Sequence, residues 1–237
     1  MSNKVLAIIP ARSGSKGIKN KNIIKIRNKP LIGYTIEQCL KSKLINRVIV
    51  STDGNEIAEI SKKSGAEVPF KRPKEISGDL DTDFTCIEHC INWLKDNENY
   101  VPDIIVHLRC TTPIRNINEI DNAINYFKNT PEADSLRAIA PVCFNPYKMW
   151  TLDEKGWISP ILQHESFKEP FNQARQNLPK TFQQDGFVDI MKPNTIWKQK
   201  SITGYKILGY EIKERSIDID TEEDILEAEV RLGKLDG

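Results

Sequence analysis

A run of basic residues directly follows an apolar segment near the start of the chain. Residues 5–10 are VLAIIP and residues 12–22 are RSGSKGIKNKN. Glycines let a backbone approach a ligand closely, and basic side chains neutralise several negative charges at once. Residues 1–36 contain eight Lys or Arg and no Asp or Glu, so we expect a bound triphosphate to neutralise this loop. Neither GxxxxGK[ST] nor GxGxxG is present, and a solvated loop with surface lysines is the alternative.

Two aspartates near the end of the chain could bind a metal ion. Asp218 and Asp220 stand two residues apart in SIDIDTEED, residues 216–224. We interpret this segment as the end of a strand, where the spacing puts both carboxylates on one face. Two such oxygen ligands suit Mg²⁺ bound to phosphates. In the alternative, the acids only complement the following helix N-terminus, which accounts for residues 222–224 but not for Asp218.

Two further segments carry weaker signals. In ARQNLPK, residues 174–180, the pair Arg175 and Gln176 could hold a carboxylate bidentately, although an arginine in a loop is most often a surface residue. In LRCTTPIR, residues 108–115, threonines and arginines form a polar group after a strand. Thr112 could equally be a turn residue before proline.

Composition excludes several classes of protein. The 237 residues are 39% hydrophobic and 28% charged with a net charge of +1, which argues against binding to nucleic acid through overall charge. The five cysteines are odd in number and form no CxxC pair, and with three histidines they make no zinc set. We therefore expect a reducing, cytoplasmic location. No apolar run approaches the length of a membrane span, so no membrane partner is expected.

Apolar runs alternate with helical patterns and predict an α/β fold. The order βαβαβαβαβ favours a doubly wound, mostly parallel sheet with helices on both faces. Predicted strands are 4–10, 47–53, 67–70, 103–108, 135–142, 186–191, 203–212 and 216–220. Predicted helices are 30–43, 55–65, 83–97 and 117–128, and a final helix begins with the capping pair Thr221 and Asp224 and has a stripe of Ile225, Ala228 and Leu232.

Ligands of such sheets bind beyond the carboxyl ends of the strands. The loops after Pro10, Asp53, Phe70 and Leu108 should therefore share one rim. This rim would collect Arg12, Lys16, Lys21, Asp53, Arg72 and Arg109.

Regular patterning stops between residues 143 and 185. This stretch is rich in Pro, Gln, Asn and aromatic residues and has a hairpin-like turn at DEKG, residues 153–156. We interpret it as a small β-rich excursion from a main domain made of residues 1–142 and 186–237.

Six segments together resemble the acylneuraminate cytidylyltransferases, which activate nine-carbon sialic-acid-type sugars as CMP-sugars. The resemblance runs from about residue 4 to the last helix and follows the family's order and spacing. The matching segments are ARSGSKGIKNKN, STDG at 51–54, RPKE at 72–75, LRCTTPIR, RQNLP at 175–179 and SIDIDTEED. The resemblance implies a nucleotide-diphospho-sugar transferase fold in which 143–185 is a dimerisation excursion of a homodimer. That excursion could reach into the partner's active site.

The resemblance also implies roles for individual residues. Arg12, Lys16 and Lys21 would hold the triphosphate of CTP, Arg72 would contact the cytosine, and Mg²⁺ would bind Asp218 and Asp220. The nucleotide site as a whole would comprise Ala11, Arg12, Ser13, Gly14, Ser15, Lys16, Lys21, Asn22, Arg72 and Asp81. The sugar site would comprise Arg109, Thr111, Thr112, Arg175, Gln176 and Gln183, with the Arg175–Gln176 pair on the sugar carboxylate.

The chain departs from the family pattern around the implied sugar site. Arg109 replaces a glutamine, Cys110 replaces a proline, and Asp189 stands where a tyrosine is usual. Acidic Asp81 and Asp83 follow the RPKE segment. We therefore expect an acidic sugar of the sialic-acid type, and legionaminic acid, pseudaminic acid and N-acetylneuraminate all stay open as its identity.

The resemblance implies that the anomeric hydroxyl of a 2-keto-3-deoxy acid sugar attacks the α-phosphorus of CTP and releases pyrophosphate. Two alternatives stay open. One is another sugar nucleotidyltransferase, such as the eight-carbon 3-deoxy-manno-octulosonate enzyme. The other is a non-catalytic nucleotide- or RNA-binding module, for which the paired aspartates have no purpose.

Overall fold

A six-stranded sheet forms the centre of the molecule. The computed structural model describes residues 4–15 and 17–235. In chain order its strands are β1 Val5–Pro10, β2 Lys25–Ile26, β3 Lys29–Pro30, β4 Arg47–Ser51, β5 Ile104–His107, β6 Ser135–Pro141, β7 Trp150–Leu152, β8 Ile158–Pro160, β9 Phe182–Met191 and β10 Ile207–Glu211. The central sheet has the order β10-β6-β9-β5-β1-β4, while β2–β3 and β7–β8 are separate two-stranded pairs.

The central sheet is mostly parallel, as predicted. β1 runs parallel to β4 and β5, and β10 runs parallel to β6. Only β9 is antiparallel to its neighbours β5 and β6 within the described chain. The carboxyl ends of the five parallel strands therefore lie at one rim, and β9 begins there.

Helices cover both faces of the sheet, which confirms the doubly wound prediction. They are α1 Leu31–Lys41, α2 Asn55–Lys63, α3 Asp83–Glu98, α4 Ile117–Lys128, α5 Pro193–Trp197 and α6 Glu222–Leu235. On one face, the apolar stripes of α1, α2 and α4 pack on alternate residues of the strands, including Ala7 and Val106. On the other face, α3 and α5 pack on the intervening residues, including Leu6 and Ile105. Strands buried on both faces need the continuous apolar runs seen in the sequence.

The final helix holds the segment of the paired aspartates against the domain. The capping pair forms as predicted, because the Asp224 carboxylate accepts from the Thr221 backbone N–H at 2.8 Å. Ala228 is fully buried with Ile217 and Ile219 in a small core that includes β2. This packing fixes residues 217–219 at the rim.

Three predicted strands differ in the structure. Residues 67–70 form only a single bridge from Glu67 to Ile49, since Pro69 has no N–H to continue a ladder. Residues 216–220 are extended but lie outside the sheet, because Ile219 donates its N–H to the Thr111 carbonyl at the rim. The third, predicted at 203–212, is shortened to β10 by a turn at Gly204, whose φ is +69°.

The β6–β9 connection leaves the domain at the rim and returns to it. It carries the β7–β8 hairpin around the predicted turn, and β9 already pairs with β6 from Phe182 onward. The sheet thus begins a few residues before the predicted boundary at 185. In the described part of the chain, no helix is long and apolar enough to cross a membrane.

β9 contains an irregular bulge of four residues. Arg137 of β6 lies opposite Asp189, whereas Ile139 lies opposite Gln184, so residues 185–188 face Ala138 alone. A Cβ at Gly186 would lie 2.8 Å from Thr112 Oγ1. A glycine here lets the bulge contact the turn after β5.

Gly186→Ala should lower the free energy of unfolding by about 1–3 kcal/mol, because the added methyl forces Thr112 or the bulge to move. The measurement is urea unfolding followed by circular dichroism. Gly33→Ala, in α1, is the control, because the added Cβ would make only ordinary van der Waals contacts at 3.4 Å and beyond. Alanine should stabilise that helix by about 0.5–1 kcal/mol. Equal stability of Gly186→Ala and the wild type would contradict this packing.

Candidate active site

A cavity of about 360 Å³ opens at the rim formed by the carboxyl ends of the parallel strands. One wall is the loop after β1, with Arg12, Ser15, Lys21 and Asn22. The opposite wall includes the loop before α3 and the turn after β5. These contribute Arg72, Ile76, Asp81, Asp83, Arg109 and Thr111. The predicted rim therefore exists.

Carboxylates pair with two cations of the basic loop, which corrects the expectation that only a bound ligand compensates its charge. Arg12 Nη1 lies 2.5 Å from Asp79 Oδ1, and Lys21 Nζ lies 2.8 Å from Asp220 Oδ1. Both acids are remote in sequence, so the charge run alone does not show them. Lys16 lies outside the described residues. An anionic ligand would have to exchange with these carboxylates.

Asp53 fixes the start of the basic loop. Its carboxylate accepts from the Ser13 N–H at 2.8 Å and from the Ser13 hydroxyl. Burial by itself would raise the pKa of Asp53, but these hydrogen bonds outweigh it and lower the pKa below its ordinary value. The Ser13 N–H thus already donates a hydrogen bond within the chain. Asn22 braces the same loop by donating to the Arg12 carbonyl at 2.8 Å.

Arg72 is a buried cation whose hydrogen-bonding capacity is incompletely used. Its side chain is 5% exposed, and its Nη2 lies 3.9 Å from Asp53 Oδ1, which is too long for a hydrogen bond. Neither Nε nor Nη2 has an acceptor among the residues that the structure describes. Buried N–H groups are rarely left unpaired, but both nitrogens are closed off from solvent, so they would meet an acceptor in the adjoining cavity only if the guanidinium turned toward it.

Arg109 is held by carboxylates on two sides. It donates to Asp83 at 2.8 Å and to Asp189 at 3.1 Å, while Arg137 donates to Asp189 at 2.8 Å. Burial would raise the pKa of Asp189, but the adjacent His107 and the two guanidinium groups outweigh it and hold the pKa well below its ordinary value. The Asp189 side chain is 3% exposed, so the cluster extends from the cavity wall into the domain.

Arg115 fixes the turn that carries Arg109. Its guanidinium donates to the Arg109 carbonyl at 2.7 Å, to the Phe187 carbonyl at 2.6 Å and to the Thr112 carbonyl. Burial lowers the pKa of Arg115 to about 10, and no carboxylate of the described chain pairs with it. Carbonyl dipoles from separate elements therefore hold this charge in place.

Asp218 and Asp220 project from the extended segment on the exposed side. The neighbouring Ile217 and Ile219 are buried, so the alternation predicted from the spacing holds without a strand. A Cβ at Gly17 would lie 3.1 Å from the Asp220 carbonyl oxygen, which shows how closely the basic loop passes. Within residues 4–15 and 17–235, no three His, Cys, Asp or Glu side chains are placed to hold a metal ion.

Several predicted site residues lie away from this cavity. Thr112 is fully buried in the turn before Pro113, in agreement with the turn alternative. Arg175 and Gln176 are exposed on the excursion, where Arg175 donates to the Cys143 carbonyl at 3.0 Å. Gln183 lines a separate depression with Arg215 and Phe144. Ala11 is buried beneath the loop and Gly14, with a φ of +82°, forms its turn.

Sequence reasoning missed three residues that shape the site, namely Asp79, Arg137 and His107. Arg115 was included in the polar group after a strand, but its burial and its role in fixing the turn were not predicted. The three aspartates of SGDLDTD, residues 77–83, could have indicated Asp79, because acidic residues that follow a basic segment are candidates for ion pairs. Arg137 and His107 lie within apolar strands and gave no signal, since a single polar residue in a strand is most often structural.

Fold and cavity together define an α/β protein with a cavity, lined by several basic side chains, at the carboxyl rim of its sheet. A solved structure of CMP:2-keto-3-deoxy-manno-octonic acid synthetase complexed with CTP has the same fold, with a TM-score of 0.73 and 14% identity over 98% of this chain and 99% of that one. The sequence profile of the cytidylyltransferase family matches residues 6–205. The chain belongs to the cytidylyltransferase family.

Curated relatives match nearly the whole of this chain. The N-acylneuraminate cytidylyltransferase of Streptococcus agalactiae serotype III is 29% identical over 226 residues, which are 94% of this chain and 52% of that protein. The CMP-N,N'-diacetyllegionaminic acid synthase of Legionella pneumophila is 29% identical over 221 residues, 92% of this chain and 91% of that protein. The chain spans about half the length of the first of these relatives.

Proposed function

We propose that this protein transfers CMP from CTP to the anomeric hydroxyl of an acidic nine-carbon sugar and releases pyrophosphate. The observation that carries the proposal is Arg72, a buried cation that lines the cavity beside other basic side chains and whose Nε and Nη2 have no acceptor among the described residues. A cytosine offers a carbonyl oxygen and a ring nitrogen side by side, which matches two such donors. The sugar class is supported by the names of the two relatives.

The basic loop would bind the phosphates by exchange of partners. Arg12 would release Asp79 and Lys21 would release Asp220 as phosphate oxygens take their places. As the sugar hydroxyl gives its proton to water and its oxygen bonds to the α-phosphorus, the bond to the bridging oxygen breaks and negative charge builds on the leaving pyrophosphate. Preorganised cations near that charge lower the barrier, and removing one such donor typically reduces kcat by about 10²–10³.

Asp218 and Asp220 fit a Mg²⁺ ion that is bound mainly through substrate. Mg²⁺ usually takes one or two carboxylates together with phosphate oxygens and water, so the lack of a complete protein cage does not count against it. When bound, the ion would neutralise phosphate charge and make the attacking hydroxyl more acidic. Both carboxylates are exposed, and the Asp220 carboxylate already contacts a cation of the basic loop, Lys21.

Pyrophosphate release tests the proposal. With Mg²⁺, the purified protein should release pyrophosphate from CTP only when a nine-carbon keto acid sugar is present, and much more slowly from ATP, GTP or UTP. Asp218→Asn should lose at least about 10²-fold in kcat while its circular dichroism stays unchanged. Glu222→Gln is the matched control, because this exposed acid lies nearby at the start of α6. Full activity of Asp218→Asn would refute the metal assignment, and no release from any pair would refute the transfer.

We further propose that the excursion forms a homodimer and carries Arg175 and Gln176 to the partner's cavity. Large apolar side chains on the excursion are exposed, including Phe144 at 74%, Leu152 at 72% and Trp157 at 74%. Exposed apolar patches commonly mark protein interfaces. This arrangement would let Arg175 hold the sugar carboxylate, although it is remote from the cavity of its own chain.

Sedimentation velocity and subunit mixing test the dimer. Trp157→Asp should sediment as a monomer, whereas Tyr205→Asp, at a residue 87% exposed on the main domain, should stay dimeric. Mixing inactive Arg175→Ala with inactive Asp218→Asn should restore part of the activity, because one site of a mixed dimer has both residues. A monomeric wild type, or no recovery from verified mixed dimers, would contradict the shared site.

The reaction would take place in the cytoplasm, and the five free cysteines agree with a reducing compartment.

A further inference from the structure

A row of polar side chains crosses the face of the central sheet on which α3 packs. His107 of β5 lies opposite Asp189 of β9, and Asp189 lies opposite Arg137 of β6. The neighbour of His107 on its other side is the apolar Ile8 of β1. Elsewhere this face is a core of apolar side chains, so charges buried in the row have to be paired.

His107 lies between two carboxylates. Its side chain is fully buried, with Nε2 3.8 Å from Asp83 Oδ2 at the start of α3 and Nδ1 3.7 Å from Asp189 Oδ2. Neither ring nitrogen has a hydrogen-bond partner among the residues that the structure describes. A neutral imidazole has a proton on only one nitrogen, so its other nitrogen would turn a lone pair toward a carboxylate. Only an imidazolium offers an N–H to both sides.

The charge of His107 decides the net charge of the groups around it. Arg109 and Arg137 carry two positive charges, which balance the two carboxylates that they contact. A neutral His107 therefore leaves these five side chains without net charge, whereas an imidazolium gives them one positive charge. The other titratable group that α3 buries nearby is the Cys86 thiol, which stays neutral because burial raises its pKa.

His107 can influence the cavity only through its neighbours. Asp83 and Arg109 line the cavity and are 32% and 26% exposed, whereas His107 lies behind them. Asp83 directly follows the loop that carries Asp79, the partner of Arg12. The position of Asp83 therefore affects both the cavity wall and the loop that faces the basic loop.

We propose that His107 is a positioning residue that acts as an imidazolium, holding Asp83 and Asp189 against the sheet and giving the cavity wall one positive charge. The charge favours an anionic ligand, and the identity of that ligand as a triphosphate rests on the function proposed above. Loss of the proton removes the charge and leaves one carboxylate facing a lone pair. Triphosphate binding should therefore weaken as His107 loses its proton.

Nuclear magnetic resonance of the histidine rings tests the charge state without any ligand. The chain has three histidines, so the ring signals of the ¹⁵N-labelled protein can be assigned with His89→Gln, His107→Gln and His164→Gln. At about pH 7.5 an unperturbed imidazole is mostly neutral, but both ring nitrogens of His107 should carry a proton. A ring with one protonated and one bare nitrogen at that pH would overturn the inference.

The Kd of CTP with Mg²⁺, measured by calorimetry over a range of pH, tests the consequence at the cavity. Where the ring signals show an imidazolium, His107→Gln should bind CTP about tenfold more weakly than the wild type, because the wall has lost one positive charge. This ratio of Kd values should fall toward one as the pH is raised and the ring signals change to those of the neutral form. Comparing two proteins at the same pH removes the titration of CTP itself.

His164→Gln is the matched control, because it removes an imidazole on the excursion, away from this row. Its Kd for CTP should stay within about twofold of the wild type at every pH. A Kd ratio for His107→Gln that does not change with pH would indicate a structural role only and would overturn the inference. No CTP binding by the wild type at any pH would overturn the proposed nucleotide site, while the ring signals would still decide the charge of His107.

Discussion

The site depends on one buried cation, Arg115, which is satisfied by backbone carbonyls. Its guanidinium bonds to the turn after β5, to the bulge of β9 and to Thr35 of α1. A buried charge that loses its acceptors is costly, so these three elements are held in one relative position. Arg109 and Thr111 lie on that turn, and Ile219 bonds to Thr111. The position of the paired aspartates follows from the same turn.

Several cations at the cavity already pair with carboxylates before any ligand binds. Asp79 and Asp220 lie on the cations that a triphosphate would use, and Asp83 with Asp189 lies on Arg109. Ligand binding then exchanges one set of anions for another. The free energy of binding is the difference between the two sets of ion pairs. Unpaired donors add to that difference most directly. Arg72, with two such donors, is therefore where affinity and base selection are concentrated in this account.

Local patterns predicted the parts of the fold that depend on local physics. Apolar runs identified β1, β4, β5 and β6, and the capping pair identified the start of α6. The segment at 216–220 has strand-like alternation, but its hydrogen bond goes to Thr111, which sequence spacing does not encode. Motifs and strand order predicted that Arg12, Lys21 and Arg72 lie at one rim, and all three line the cavity. Asp189 meets Arg109 only through the sheet order, so sequence reasoning could not pair them.

Thermal melting with nucleotides tests the central claim, that this cavity is a CTP site read by Arg72, most directly. A ligand that binds only the folded state stabilises it by about 2.7 kcal/mol at a concentration of 100 Kd. CTP with Mg²⁺ should raise the Tm of the wild type progressively with concentration. ATP, GTP and UTP should do so much less, and Arg72→Met should show no preference for CTP. An unchanged Tm up to millimolar CTP, or equal shifts with all four triphosphates, would contradict the account.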